Sequence, residues 1–168
     1  MRRRYQKFLP QLVCAVVVLS AAVAAQQIGA VSHVQTSAHT NRFHSPAVDA
    51  GDYLYISGQG PQRADGSLTA SFGEQARQAL DNIKAIVEAA GLTLDNVVYT
   101  QVYLEDINKY DEMNRIFGEY FVKTPPARAL LGVARVPEPP IEINAVAVRN
   151  LAERRAVYPP NYKPGESA

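Results

Sequence analysis

The sequence predicts an α+β domain of two layers, and three observations carry the prediction. Segments of strand and helix character follow in the order strand, strand, helix, strand, helix, strand, strand. Two segments carry apolar residues at helical spacing, enough to cover one face of a mixed sheet. The strand segments offer apolar residues on both parities, with Leu54 and Ile56 set against Tyr53 and Tyr55. A strand apolar on both faces needs cover on both. The two helices supply one cover, so a homo-oligomer is the expectation for the other.

The segment Asp52–Gly60, DYLYISGQG, is rich in Tyr and Ile and ends in glycines, as a strand does. A further short strand fits around Ser45–Ala50. Asp65-Gly66 marks a turn. Ser71 with Glu74 forms the S-x-x-E pattern of a helix capping box. Behind it Ala76, Leu80, Ile83, Val87 and Ala90 recur at steps of three and four, and Gly91 supplies the stop. Asp95–Asp106 is a strand by its β-branched and aromatic content. Its parities are Val98 and Val102 against Val97, Tyr99 and Tyr103. Asp106 can cap a second helix whose stripe is Tyr110, Met113, Phe117, Tyr120 and Phe121, ended by Pro125 and Pro126. Two strands follow, roughly Arg128–Val136 and Ile141–Val148, joined by PEPP.

The chain has 168 residues, 47% hydrophobic and 20% charged, which is ordinary globular composition and fits one domain at 43–150 with tails. Residues 1–25 differ. A basic start (Arg2, Arg3, Arg4, Lys7) leads into an apolar run from Leu12 to Ala25, and Ala22-Val23-Ala24 fits an A-x-A cleavage site. That is the pattern of a secretory signal peptide cut near Ala24 or Ala25. The run is short of the roughly 20 apolar residues a span needs, which favours cleavage over a retained anchor. Cys14 has no small residue before it, so a lipoprotein anchor is not indicated. Export to the periplasm or medium is the expectation, with no stable membrane association afterwards.

Cleavage takes four of the 17 Lys+Arg and none of the 16 Asp+Glu, leaving 13 against 16, formally −3. It also removes the one cysteine, which excludes thiol chemistry in the mature chain. No Cys/His cluster suggests a metal. A mildly acidic domain without a basic stripe is not built for nucleic acid. Residues 26–42 are polar and aperiodic, a flexible lead-in, and 151–168 form a Pro-rich polar tail.

Within TPPARALLGVARVPEPPIEINAVAV, Arg128 and Glu142 stand among small and apolar residues. Both are hydrated at strand ends, or both serve a site. Alternation puts Arg128 with Leu130, Gly132 and Ala134, and Glu142 with Asn144, Val146 and Val148. If the two strands pair as a hairpin turning near Glu138, the charges stand about six residues apart, or ~20 Å. A shared site would then need a neighbouring subunit.

Three separated motifs in order, SPAVDAGDYLYISGQGP, ARQALDNIKAIVEAAGLTLDNVVYTQVYLEDINKYDEMN and PPARALLGVARVPEPPIEINAVAVRN, resemble the RidA (YjgF-type) family of enamine/imine deaminases across about 43–150. The resemblance implies a chorismate-mutase-like α+β domain, assembled as a homotrimer with sites between subunits. It implies hydrolysis of 2-imino or enamine acids without metal or organic cofactor. By the same resemblance Arg128 matches the arginine that holds the substrate carboxylate, and Glu142 the glutamate near the attacking water. Ser57 and Gly58 match small pocket residues, and Asn114 an asparagine near the cleft or a plain polar residue on the second helix. Two positions depart. His44 stands where an aromatic is usual, and is a pocket-wall or surface residue, or a proton carrier. Leu130 stands where active deaminases often carry cysteine. A non-catalytic carboxylate-binding module is the alternative; an endoribonuclease, another family ascription, would lack a basic patch.

Overall fold

The computed structural model describes residues 32–33 and 43–151. The expected signal peptide and the tail beyond residue 151 lie outside the described residues. The strands are β1 (Ser32–His33), β2 (Ala47–Asp49), β3 (Tyr53–Gln59), β4 (Val97–Leu104), β5 (Ala127–Gly132) and β6 (Ile141–Val148). The helices are α1 (Phe72–Ala89) and α2 (Tyr110–Tyr120). One mixed sheet runs β1-β2-β3-β6-β4-β5. The two-residue β1 falls inside the segment expected to lack structure and pairs antiparallel with β2.

Helix α1 begins where the capping box predicts. Ser71 Oγ accepts from Glu74 N at 3.3 Å, and Glu74 Oε2 accepts from Ser71 N at 3.4 Å. Such a cap stabilises by about 1 kcal/mol. The helix ends with Gly91 at φ +74°, which a residue with a Cβ adopts only with strain. Ala76, Leu80, Ile83 and Val87 are buried as the periodicity predicts. Asp106 caps a short 3₁₀ turn, Ile107–Lys109, that leads into α2. On α2 the buried residues are Met113, Ile116 and Phe117, while Tyr110 stays exposed despite its place on the predicted stripe. The helix stops at Tyr120, before the two prolines.

The core lies between the helices and one sheet face. Leu54, Ile56, Val102, Leu104, Ile141 and Ile143 meet Leu80, Ile83, Ile86 and Ile116 there. Each fully buried side chain of this kind contributes about 1.5–3 kcal/mol. A register shift between Val97 and Tyr99 lets Val97 join Val102 in the core. The simple alternation expected for this strand, with Val97 beside Tyr99, is therefore broken at Val98.

The expected hairpin of the last two strands does not form. β5 pairs parallel with β4, and β6 pairs antiparallel with both β4 and β3. Because α2 joins β4 to β5, the chain can return β5 parallel along the free edge of β4. β6 then fills the slot between β3 and β4. The expected strand Arg128–Val136 stops at Gly132 because the chain must leave that edge and cross the end of β4. The linker of residues 133–140 is tied to β4's end: Val133 N donates to Leu104 O at 2.9 Å, and Glu105 N to Pro140 O at 3.1 Å. Glu105 Oε1 accepts from Val136 N at 3.0 Å.

The sheet face away from the helices carries Tyr53, Tyr55, Tyr99 and Leu131, all exposed in the single chain. No described helix covers that face.

Candidate active site

The sequence-predicted site residues form two groups. Arg128 lies on β5 opposite Thr100, whose side chain is fully buried under the helices. Arg128 therefore points to the helix face. There Nη2 donates to Asn114 Oδ1 at 2.6 Å, a charge-assisted bond. The guanidinium sits 4.7 Å from the centroid of the Phe117 ring, in cation–π range. Burial lowers the affinity of Arg128 for its proton, and the nearby Tyr110 opposes this. Tyr110, Asn114 and Phe117 recur at i, i+4 and i+7 along α2, one face of a helix. That face holds the guanidinium through Asn114 and the Phe117 ring. Leu130 follows on the same side of β5 and packs, half-buried, against the core.

The second group lies on the opposite face. Glu142 pairs with Tyr103 across β4, and its neighbours Ile141 and Ile143 point into the core, so its carboxyl points away from the helices. Between Ile56 and Gln59 the register of β3 against β6 shifts, so Ser57 and Gly58 together oppose Asn144. Bulges of this kind re-aim side chains beside sites. Ser57 Oγ donates to Ser45 O at 2.6 Å, which ties the segment carrying His44 to the bulge. The Glu142 side chain lies over Gly58: a Cβ on Gly58 would stand 2.1 Å from Glu142 Oε1. Gly58 is thus glycine because the carboxyl occupies the place of a side chain. Burial raises the Glu142 pKa above the usual carboxylate value; the Glu138 carboxylate adds to this and His44 opposes it.

Arg128 and Glu142 do not meet within one chain. Their partners on β4, Thr100 and Tyr103, are three residues apart, and β4 separates their strands. Two strand spacings and that offset put their Cα atoms about 14 Å apart, and the side chains leave opposite faces. The ~20 Å expected from a hairpin was too long, because β4 lies between the two strands and sets a different register.

Three residues were missed as site components in the sequence. Phe117 and Tyr110 read as helix core, yet they flank Arg128. Glu138 read as a turn residue. Only the glycine spacing Gly58-Gln59-Gly60 hinted at side chains lying across the strand end. Among the described residues, no three His, Cys, Asp or Glu side chains gather to hold a metal ion.

Residues 34–149 match the Endoribonuclease L-PSP family. A 2-iminobutanoate/2-iminopropanoate deaminase of Escherichia coli K12 is 44% identical over 107 residues, 61% of this chain and 84% of that protein. A RutC family protein of Pyrococcus horikoshii is 41% identical over 109 residues, 63% of this chain and 86% of its own. The solved YjgF gene product of E. coli matches with a TM-score of 0.68 at 38% identity, over 70% of this chain and 98% of that one. E. coli TdcF, solved with bound serine, gives 0.68 at 33% identity, over 70% and 98%. Fold, order of motifs and sequence identity thus agree across the matched region, and the chain belongs to the RidA/YjgF family, also described as Endoribonuclease L-PSP or RutC.

Proposed function

We propose that the protein hydrolyses reactive 2-imino and enamine acids to 2-oxo acids and ammonia, in clefts between the subunits of a homotrimer. The observation that carries this reading is the placing of Arg128 and Glu142 on opposite sheet faces. A site that uses both takes them from two copies of the chain. The bare apolar face around Tyr53, Tyr55 and Leu131 supports such an assembly.

In the proposed reaction Arg128 receives the substrate carboxylate in two hydrogen bonds, while Asn114 and Phe117 hold the guanidinium. The enamine tautomerises to the imine. Glu142 of the facing subunit accepts a proton from water as the water oxygen bonds to C2, and the imine electron pair moves to nitrogen. The same carboxyl passes that proton to nitrogen, then takes the proton of the C2 hydroxyl and delivers it to nitrogen as the C2–N bond breaks, so that ammonia leaves and the hydroxyl oxygen becomes the carbonyl. Backbone groups around Ser57, Gly58 and Leu130 hold the remaining polar atoms, with His44 on the wall beside Glu142. Positioning supplies much of the rate, because imines hydrolyse readily in water. The chain's own side chains suffice for these steps without a cofactor.

The test is ammonia release from 2-iminobutanoate generated in situ. Arg128→Ala and Glu142→Gln should each lose activity. Refolded together in equal amounts they should regain about a quarter of the wild-type rate, because that fraction of random interfaces unites an intact Arg128 with an intact Glu142. Wild-type rates for Arg128→Ala would end the carboxylate-clamp role, and absence of rescue would end the shared cleft.

A second reading is a carboxylate-binding module without turnover. The bound serine in TdcF and Leu130 in place of the usual cysteine favour it. Saturable binding of 2-oxobutanoate with no ammonia release would establish that reading instead. We further propose that the protein works outside the cytoplasm after loss of residues 1–25; N-terminal sequencing of the mature protein tests this, and an intact Met1 would refute it.

A further inference from the structure

Beside Glu142 lies a second carboxylate that the proposed reaction does not yet use. Glu138 sits in the 133–140 linker, whose two ends are tied to the end of β4. Its side chain lies over Gly60: a Cβ there would stand 2.3 Å from both Glu138 Cβ and Glu138 Oε2. Glu142 lies over Gly58 in the same manner, at 2.1 Å from Oε1. Two bare backbone positions, two residues apart, thus each seat one carboxyl side chain. In extended chain that spacing is about 7 Å. Asn82 Nδ2 donates to Gly60 O at 3.0 Å and to Gln62 O at 2.9 Å, which fixes the second seat against α1.

We propose that Glu138 is a positioning residue of the proposed deaminase site, seated beside Glu142 across the two glycines so that it sets the place and the charge surroundings of the Glu142 carboxylate. This rests on the deaminase reading and deepens it. A carboxylate close to another in a half-buried site disfavours a second negative charge there. Burial, and after it the Glu138 carboxylate, therefore make Glu142 hold its proton more firmly than a free carboxyl does. Base and acid work by one group is most effective when its affinity for the proton approaches the working pH. Among the described residues the linker brings Glu138 to Glu142, the segment before β2 brings His44, β4 sets Tyr103 at the cross-strand position, and Gly58 of β3 lies beneath the carboxyl. Burial and Glu138 act in one direction on Glu142 and His44 in the other, so Glu138 is the charged group that raises it.

The test is Glu138→Gln in the full mature protein, with two readouts. Titration of the Glu142 side-chain carboxyl followed by carbon-13 NMR should move to lower pH. The acid limb of kcat for ammonia release should move with it, and the plateau should fall several-fold because the base is weaker. Glu138→Asp should restore most of the shift. Gly60→Ala, which puts a methyl where Glu138 lies, should reproduce it with the charge retained elsewhere. An unmoved Glu142 titration in both Glu138→Gln and Gly60→Ala overturns the pairing. A moved titration in a protein that releases no ammonia upholds the pairing and overturns the deaminase reading alone.

Discussion

Gly58→Ala isolates the role of Glu142 without touching its chemistry. The added carbon would stand 2.1 Å from Oε1, 2.6 Å from Cδ and 2.9 Å from Cγ of Glu142. Ordinary contact needs roughly 3.4 Å or more. The carboxyl must therefore retreat by more than about 1 Å. Gly58 has no positive φ, so the alanine itself is not strained. Glu142 is half-buried and can swing outward, so stability should change by less than about 1 kcal/mol, partly offset by the lower freedom of alanine in the unfolded chain. A displacement of 1 Å at a reacting group costs on the order of 10²-fold, or about 2.7 kcal/mol of barrier. The assay is kcat for ammonia release, with urea denaturation as the control. The double variant Gly58→Ala/Glu142→Gln should be no slower than Glu142→Gln alone, because both act through one carboxyl. A wild-type kcat for Gly58→Ala, or losses that multiply in the double variant, would refute the reasoning.

Asn114→Ala removes the 2.6 Å bond to Arg128 and should lower kcat/KM for 2-iminobutanoate by tenfold or more, the worth of about 1.5–3 kcal/mol for a bond to a charged group, mostly through KM. Glu142→Gln should abolish turnover yet raise Tm at neutral pH. The folded chain raises the Glu142 pKa, so its ionised form destabilises the fold above the ordinary carboxyl range; the gain should vanish in thermal melts at pH below that range. Gly118→Ala on the exposed side of α2 meets nothing within 4 Å and should stabilise by about 0.5–1 kcal/mol in urea titrations, with activity unchanged.

Element identity was legible in the sequence because it is local. The capping box at Ser71 and Glu74 and the stop at Gly91 depend on a few neighbouring residues, and both stand where predicted. Which strand lies beside which is not local. Alternation says that Arg128 and Leu130 share a face, and they do. It does not say that β4 comes between β5 and β6. The site was legible to the same extent. Arg128 and Glu142 stood out as charges in apolar strands, and their separate faces follow from register that only the assembled sheet defines. The dual part played by Phe117, core residue and platform for a guanidinium, leaves no mark on helical periodicity at all.

The linker over the end of β4 is fastened at Val133, Val136 and Pro140, and Glu138 lies between the last two fastenings. Its middle can be exchanged without re-threading a strand. An acidic residue there makes the neighbouring base stronger, and a basic or neutral one would make it weaker. Descendants of one ancestor could thus be retuned to the acidity of different compartments by editing a few codons far from the sheet's own register.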